Sequence, residues 1–249
     1  MCWGKYGMPI PLWEEEMKID LFDRYDIRTR ICAFIFVVSP FLLDAYILVD
    51  AVRTFSSTVV ITTVLIAGSG LFTCWMRYWG NSVNQVDYIA EFLMAESSEI
   101  STVSRKRYCD RLAKLESSYS DLYSEDPNAR KDAARSASAW LREKTRTAEF
   151  KLVQEENLNY GFLRNIYSVK SLFIGCLTVY SVVLIVAVII TNWDLSPKDY
   201  FLTMPVEHIA CGIVHLSAYL IWIFGVNRNI IDFTAKKYAK AVVCSIDKL

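Results

Sequence analysis

Four long stretches of the chain are apolar on all sides, without the recurring polar positions of a surface helix. The longest lies between Lys170 and Asp194, where 23 residues, SLFIGCLTVYSVVLIVAVIITNW, include no charged side chain. At ~1.5 Å per residue, a helix of this length covers the ~30 Å hydrocarbon core of a bilayer. In lipid the backbone must satisfy its hydrogen bonds within the helix, so the many β-branched residues do not argue against a helix. The pattern predicts a membrane span.

Three further apolar stretches predict three more spans, and short connections pair the four. The first and second spans, with the connection 50–57, occupy 31–76, and the third and fourth, with the connection 194–204, occupy 171–225. Spans joined by so few residues are neighbours that run in opposite directions. The predicted fold class is therefore an all-α membrane protein with four transmembrane helices arranged as two hairpins.

Lysine and arginine are distributed very unevenly along the chain. Five precede the first span, fifteen lie in 77–170 and five follow the fourth span, whereas each short connection holds one, Arg53 or Lys198. Basic residues are enriched in the cytoplasmic segments of membrane proteins. This bias predicts that both termini and residues 77–170 are cytoplasmic.

Residues 77–170 are expected to form a long cytosolic helical hairpin between the second and third spans. The region has 15 basic and 14 acidic residues but only one proline and two glycines, which favours long helices. Asp126 and Pro127 are placed as the N-cap and first residue of a helix and predict the turn of the hairpin. A weaker break is expected near 97–102. A heptad-like seam precedes the turn, at Tyr108, Leu112, Leu115, Tyr119 and Leu122.

The two ends of the chain also have amphipathic patterns. Within 1–30, apolar residues recur at steps of four (Trp13, Met17, Leu21, Tyr25) and predict a helix in the membrane interface or packed on the cytosolic region. Residues 226–249 place three lysines beside apolar positions. We interpret them as a basic amphipathic tail against the anionic inner leaflet, and the alternative is a helix packed on the cytosolic hairpin.

Composition adds few functional assignments. The chain is 53% hydrophobic and 22% charged with zero formal net charge, so no direct nucleic-acid partner is expected. Seven dispersed cysteines indicate neither a disulfide framework nor a zinc site. No catalytic motif, phosphate-binding loop or paired-histidine metal spacing occurs, so we expect no enzyme activity, catalytic residue, metal or cofactor.

Asp44 and His215 are the candidate functional residues inside the membrane. Asp44 lies about six residues, or roughly 9 Å, from the far end of the first span, and His215 lies near the middle of the fourth. Buried ionisable residues often mark ion pathways. One hypothesis is that Asp44 lines a cation-favouring pore mouth or pairs with His215. The alternative is that Asp44 is hydrated at the interface and His215 bonds a neighbouring helix. Polar residues near the level of Asp44 are candidates for a shared vestibule: Ser39, Asp50, Thr191 and Asn192.

Two further sets of residues are candidate sites. Gly68 and Gly70 form a small-residue face on the second span that suits close helix packing. A polar cluster precedes the third span and is interpreted either as a ligand or gating junction, hinged at Gly161, or as a solvated helix face. Its members are Glu155, Glu156, Asn157, Asn159, Tyr160, Gly161, Arg164 and Asn165.

The predicted architecture as a whole, with its two hairpins and cytosolic helical part, resembles the SMODS-associated two- and four-helix membrane effectors of bacterial anti-phage systems. The resemblance covers topology along the chain and no residue-level motif, so it assigns no site residue. It implies an oligomeric inner-membrane channel or pore-forming effector, controlled by the cytosolic helices and triggered by a partner protein or small molecule. The alternative function is a non-conducting membrane scaffold or sensor that recruits a cytosolic partner protein.

Overall fold

The structure, a computed structural model, describes residues 27–80, 86–94 and 99–249. These residues form helices and no strand, which confirms the predicted all-α fold for the described part of the chain. The amphipathic stripe predicted within 1–30 falls on residues outside these ranges. In chain order the α-helices are α1 Cys32–Leu48, α2 Phe55–Gly80, α3 Tyr88–Met94, α4 Thr102–Leu115, α5 Pro127–Lys144, α6 Lys151–Ser168, α7 Lys170–Thr191, α8 Pro197–Thr203, α9 Val206–Leu220 and α10 Arg228–Cys244.

Four helical segments are long and apolar enough to cross a membrane, as predicted. The segments are Arg28–Leu48, Ser56–Met76, Lys170–Thr191 and Val206–Gly225. The first begins with a π-helical turn before α1, and the fourth ends with a π-helical turn after α9. Only 22%, 12%, 11% and 17% of these spans, in that order, are buried inside the chain. The remaining apolar surface must be shielded from water, which is consistent with a multi-pass membrane protein.

Helices α3, α4, α5, the start of α6 and α10 surround one apolar core, and we call this unit the helical domain. Side chains from three of its helices, Leu112, Leu141 and Val242, are completely buried. The core therefore joins residues that precede the third span to residues that follow the fourth. Because the chain passes through both spans between these segments, the helical domain cannot be completed by 77–170 alone.

The turn before α5 forms as the sequence predicts. The Asp126 carboxylate accepts hydrogen bonds from the backbone N–H groups of Asn128 and Ala129, at 3.0 and 3.4 Å, and Pro127 is the first helical residue. Proline fits this position because its missing N–H would have no partner inside the helix. Part of the weaker break predicted at 97–102 falls on residues outside the described ranges, and α4 begins after it with Ser101 as its N-cap.

The heptad-like seam does not lie on one helix. Helix α4 ends at Leu115, and the last two seam residues, Tyr119 and Leu122, lie on a 3-10 helix, Ser117–Tyr123. Both are buried, but Leu115 is 50% exposed. The serine-rich sequence competes with helix continuation through local hydrogen bonds, including Ser120 Oγ to the Ser117 carbonyl oxygen at 2.7 Å. The seam therefore folds back into the domain instead of extending as a coiled coil.

The interpretation of 228–249 as a tail lying on the membrane needs correction. Helix α10 packs on α3 and α6, and Val242, Val243 and Ile246 are fully buried in the helical domain. Asp247, in the following 3-10 helix, accepts a hydrogen bond from Arg107 at 2.7 Å. The apolar side of the predicted amphipathic helix faces protein, which follows the second of the two alternatives.

Helix α6 is the element that joins the helical domain to the membrane spans. It packs on α10 and on the domain ends of the first two spans, and one residue, Val169, separates it from α7. The Asn165 side chain donates a 2.9 Å hydrogen bond to the Thr29 carbonyl oxygen. Lys170 Nζ donates to the carbonyl oxygens of Ile223 and Val226 at 3.1 and 2.6 Å, which places a cation at the end of the fourth span.

The four spans meet in a second apolar cluster at the ends nearest the helical domain. It combines the start of the first span (Ala33), the end of the second (Met76), the start of the third (Phe173) and the end of the fourth (Trp222). The rings of Phe173 and Trp222 stack with centroids 4.0 Å apart. Beyond this cluster most apolar side chains of the spans are exposed, so the spans are packed tightly only at one end.

Arg53 closes the connection between the first two spans. Its Nε donates to the carbonyl oxygen of Tyr46 at 2.8 Å and its Nη2 to that of Ile47 at 2.6 Å, while Nη1 lies 3.0 Å from Asp50. These bonds satisfy carbonyl groups that the end of α1 leaves without a helical partner. A single basic residue thereby allows a very short connection.

Replacing Ile246 by alanine tests the placement of the C-terminus in the domain core. Ile246 is fully buried, so Ile246→Ala is expected to lower the free energy of unfolding of the helical domain by about 2–4 kcal/mol. The matched control is Leu249→Ala, at a position that is 40% exposed, with an expected change below about 0.5 kcal/mol. Unfolding is read in increasing urea from the accessibility of Cys109 to alkylation. Equal changes for the two variants would contradict the placement.

Cysteine alkylation tests the burial of α4 in the domain. Burial raises the pKa of the Cys109 thiol, so at neutral pH less of the reactive thiolate is present than in an exposed cysteine. In the native protein we expect iodoacetamide to modify Cys109 at least about tenfold more slowly than the exposed Cys244. Mass spectrometry of the labelled peptides gives both rates. The difference should disappear in urea, and its absence from the native protein would refute the packing of α4.

Candidate functional site

Asp44 is completely buried in the membrane part of the protein. It lies in the last turns of α1, on the side that faces the third and fourth spans, and none of its surface is exposed. A carboxyl group in this setting needs a partner that shares its charge or its proton, since burying an isolated charge is very costly. Such a partner must therefore lie within hydrogen-bond distance of the Asp44 carboxyl oxygens.

His215 on α9 provides that partner. Its Nε2 lies 2.5 Å from Asp44 Oδ2, and its Nδ1 lies 2.8 Å from the hydroxyl oxygen of Ser181 on α7. Asp44, His215 and Ser181 thus form a line of hydrogen bonds that joins the first, fourth and third spans, and we call it the polar relay. The structure brings together the two ionisable residues that the sequence singled out.

The protons of the polar relay have two arrangements. The Ser181 hydroxyl can donate to the Leu177 carbonyl oxygen at 2.7 Å, in which case His215 donates from Nδ1 and a second proton lies between His215 and Asp44. Alternatively, Ser181 donates to Nδ1, and His215 donates from Nε2 to an ionised Asp44. The first arrangement has no net charge and the second has one negative charge. The two arrangements therefore differ by one proton.

The second carboxyl oxygen of Asp44 remains unsatisfied. Asp44 Oδ1 is buried and accepts no hydrogen bond from the described residues, although the Cys211 thiol lies nearby, one turn before His215 on α9. An unsatisfied buried acceptor costs about 1–3 kcal/mol. The Tyr180 ring, 5.7 Å from the imidazole by centroids, and Phe41, 5.1 Å from Tyr180, form an aromatic wall beside the relay. Asp44 Oδ1 can therefore accept a further hydrogen bond in otherwise apolar surroundings.

The relay contains a serine, a histidine and an aspartate, but its geometry is poor for nucleophilic catalysis. Ser181 lies inside the regular helix α7, so the backbone N–H groups around it are engaged in helical hydrogen bonds and supply no oxyanion hole. What the arrangement offers is a site that can hold, lose or pass a proton. Among the described residues no group of three or more His, Cys, Asp or Glu side chains is arranged to hold a metal ion.

The other polar residues near the level of Asp44 do not join the relay. Ser39 donates to the Phe36 carbonyl oxygen at 2.9 Å, and Asn192 Nδ2 donates to that of Val188 at 2.9 Å. Thr191 likewise bonds to carbonyl groups of its own helix, and Asp50 pairs with Arg53. These bonds lie within one element or connection, and none of them links these residues to the relay.

The two glycines of the second span have different surroundings. A methyl group added at Gly68 would lie 3.4 Å from the ring of Phe34 on the first span, whereas at Gly70 it would meet nothing within 4 Å. Gly68 therefore allows close packing within the chain. Gly70 faces open space, so no described helix of the same chain packs closely against it.

The polar cluster that precedes the third span is only partly brought together. Asn159 Oδ1 accepts a hydrogen bond from Arg28 at 3.5 Å, and the Arg164 guanidinium lies 5.7 Å from the centre of the Tyr160 ring. Glu155 is exposed and Glu156 half-buried. Helix α6 continues through Gly161, which is buried, so the expected hinge at Gly161 is not a break in the helix. The interruption lies at Val169 instead.

A cavity of about 400 Å³ lies beside this part of α6, between α3, α5 and α10. Its polar lining includes Asp87, Arg142, Asn157, Tyr160 and Arg164. Asp87 is already engaged, because its carboxylate accepts hydrogen bonds from Arg142 at 2.7 Å and from the Ser138 hydroxyl at 2.9 and 3.0 Å. Burial raises the pKa of Tyr160. The positive charges of Arg164 and Arg142 partly offset this effect, and the negative charge of Asp232 adds to it. The cavity therefore has a positive side.

Arg164 is the least satisfied charged residue of this cavity. Its Nε is buried and has no hydrogen-bond partner among the described residues. An unsatisfied buried donor of this kind costs about 1–3 kcal/mol, and more when the group is charged. The Tyr160 ring, under the guanidinium, is stacked on that of Tyr238, with centroids 6.1 Å apart. Arg164 thus lines the cavity with its guanidinium held against an aromatic pair, while its Nε is buried without a partner among the described residues.

Ser181, Arg53 and Lys170 are structurally important residues that the sequence reasoning missed. Serine and threonine within spans commonly bond to their own helix, so Ser181 carried no signal until its facing was known. Arg53 and Lys170 entered only the prediction of orientation, although each side chain donates hydrogen bonds to carbonyl oxygens at a helix end. Their positions beside span boundaries were the available clue.

Comparison with known proteins adds no assignment: no family model, curated protein or solved structure matches the chain. The features on which a functional proposal can rest are therefore the polar relay, the helical domain and the junction between them.

A double-mutant cycle tests the contact between Asp44 and His215. Removing either partner leaves the other buried and alone, so Asp44→Ala and His215→Ala should each lower the free energy of unfolding by about 3 kcal/mol, with a coupling of about 1–2 kcal/mol in the double variant. The matched control pairs His215→Ala with Asp50→Ala. Asp50 is 94% exposed and should show coupling near zero. Stability is measured by denaturant titration in detergent micelles, and additive effects of Asp44→Ala and His215→Ala would exclude the contact.

Proposed function

We propose that the chain is an oligomeric ion-conducting protein of a cell's inner membrane, gated by its helical domain. The observation that carries the proposal is the polar relay. A buried Asp–His pair is an expensive feature in a membrane bundle, and such residues characteristically serve ion or proton movement. The spare oxygen of Asp44 adds a site at which a cation or a water molecule can be accepted.

The orientation that we propose has both termini and the helical domain in the cytoplasm and the spans as two hairpins. It is supported by the fifteen basic residues of 77–170 and the single basic residue in each short connection. It is also supported by the second apolar cluster, in which the starts of the first and third spans meet the ends of the second and fourth.

Coupling between domain and spans is proposed to run through α6. This helix contacts α10 in the domain, bonds the start of the first span through Asn165, and leads into α7, which carries Ser181. A trigger that shifts α6 would therefore act on a span that takes part in the relay. The conformation described here encloses Asp44 and is assigned to the closed state.

Oligomerisation is proposed because most of the span surface is not covered by the chain itself. The second span is 12% buried, and Gly70 on it has an open face. Small residues allow close helix approach between subunits. A role in anti-phage defence, with a partner protein or small molecule as trigger, is the setting that the resemblance in architecture supports.

Membrane potential is the measurement that tests conduction. Bacteria expressing the wild type are expected to depolarise, with or without phage infection, as read by a potential-sensitive dye. Asp44→Asn, which keeps the shape but removes the charge, should reduce the rate of depolarisation about tenfold. The control Asp50→Asn makes the same chemical change at an exposed position and should behave as the wild type.

A parallel assay follows potassium efflux from liposomes that contain the purified variants. If the wild type produces neither depolarisation in cells nor efflux from liposomes, conduction is refuted. Equal loss of conduction in Asp44→Asn and Asp50→Asn would refute the assignment of the pathway to Asp44.

The second candidate function is a non-conducting scaffold or sensor. The observation that favours it is the separate core of the helical domain, completed by α10, which can present a surface to a cytosolic partner protein. Such a protein needs the domain but not the charge of Asp44. Retention of a partner and of biological activity by a stably folded Asp44→Asn variant would favour this function over conduction.

A further inference from the structure

We propose that the cavity between α3, α5, α6 and α10 is a binding site for a phosphate-bearing ligand, with Arg164 as its principal anchor. The proposal concerns binding and is independent of conduction. It assigns a ligand chemistry to a site on the helical domain, whereas the proposed function depends on the polar relay among the spans.

The size of the cavity supports this assignment. At about 400 Å³ it exceeds what a single ion fills and falls within the range of small-molecule sites, ~300–1,000 Å³. Residues from four helices line it, so a ligand held there would contact both segments that build the helical domain. The lining is more polar than that of a fatty-ligand pocket, because arginine, asparagine and tyrosine side chains face it.

The charges of the cavity favour an anion. Arg142 and Arg164 line it. Asp87, the one acidic residue among the described lining, has its carboxylate occupied by Arg142 and Ser138, and the nearby Asp232 interacts with Tyr88. Arg142 has further guanidinium N–H groups beyond its Nη2 bond to Asp87, and the Arg164 guanidinium also lines the cavity. Two guanidinium groups around one space match the several oxygens of a phosphate, which accepts paired hydrogen bonds from arginine.

The neighbouring neutral groups fit the same ligand. Asn157 lies one turn from Tyr160 and two turns from Arg164 on α6, so their side chains share one face of the helix. The Asn157 amide and the Tyr160 hydroxyl can each donate a hydrogen bond to phosphate oxygens. The Tyr160 ring lies under the Arg164 guanidinium, so the stack helps to hold this side chain at the cavity.

Two sources of the phosphate are compatible with this position. Arg164 lies six residues before Lys170, or about 9 Å along the helix from the start of the third span, so a lipid headgroup is within reach. Soluble phosphate compounds can reach the same cavity from the aqueous side. The shared chemistry is the phosphate group, and the experiment separates the two sources.

The test uses the full chain in phosphatidylcholine nanodiscs, titrated calorimetrically with inorganic pyrophosphate as the soluble probe. The lipid probe is phosphatidic acid, added to the protein in detergent micelles, with the shift in melting temperature as the readout. Four variants are compared with the wild type. Arg164→Gln removes the anchor charge, Arg164→Lys keeps it, and Asn157→Asp introduces a negative charge. Arg135→Gln removes an exposed arginine that lies two turns before Arg142 on α5 and does not line the cavity.

We expect one probe to bind the wild type and to bind Arg164→Gln and Asn157→Asp about tenfold more weakly. Arg164→Lys should recover part of the affinity, and Arg135→Gln should bind as the wild type. Pyrophosphate binding with this pattern identifies a soluble phosphate ligand, and a phosphatidic acid shift with this pattern identifies a lipid headgroup. Slow alkylation of Cys109 in each variant verifies that the helical domain is folded.

The proposal is overturned if neither probe binds in an Arg164-dependent manner. It is also overturned if folded Arg135→Gln weakens binding as much as Arg164→Gln, which would indicate general attraction of anions to the domain. Failure of conduction leaves both readouts unaffected, so the two proposals fail separately.

Discussion

A carboxyl group that has no access to water must share its charge or proton, and Asp44 does so through His215. This contact fixes more than two side chains. It sets the rotation of α1 and α9 about their axes, and through Ser181 it sets that of α7. The rotations in turn bring the apolar residues one or two turns away into the cluster that includes Phe173 and Trp222. The membrane bundle is therefore organised around one polar contact with an apolar cluster on its domain side.

The helical domain and the spans are built as one structure and not as a soluble module on a tether. Helix α6 contributes to the domain core at its start and to the span cluster at its end. The segment after the fourth span returns to complete the domain through α10. Because both the entry to the third span and the exit from the fourth are tied to this core, a rearrangement of the domain cannot leave the bundle unaffected. This connectivity is the physical basis for the proposed gating.

Much of the fold could be predicted from the sequence because its strongest signals are local. Span positions follow from length and apolar composition, and the turn at Asp126 and Pro127 follows from capping chemistry. The pairing of Asp44 with His215 could be anticipated as one alternative, since few ionisable groups lie inside spans. The role of Ser181 could not, because facing depends on packing. The placement of α10 was ambiguous for a related reason: an amphipathic helix with three lysines has the same pattern whether its apolar side meets lipid or a protein core.

The bond from Lys170 to the carbonyl groups of Ile223 and Val226 has a mechanical consequence. It ties the third span to the fourth at the ends nearest the helical domain, and the short connection 194–204 joins their far ends. The ends nearest the helical domain are therefore the pivot about which the third and fourth spans can tilt together. A helix of 22 residues is about 32 Å long, so a tilt of about 10° around this pivot displaces its far end by about 5 Å. A displacement of that size is comparable with the width of a hydrated ion path, whereas the span ends near Lys170 barely move.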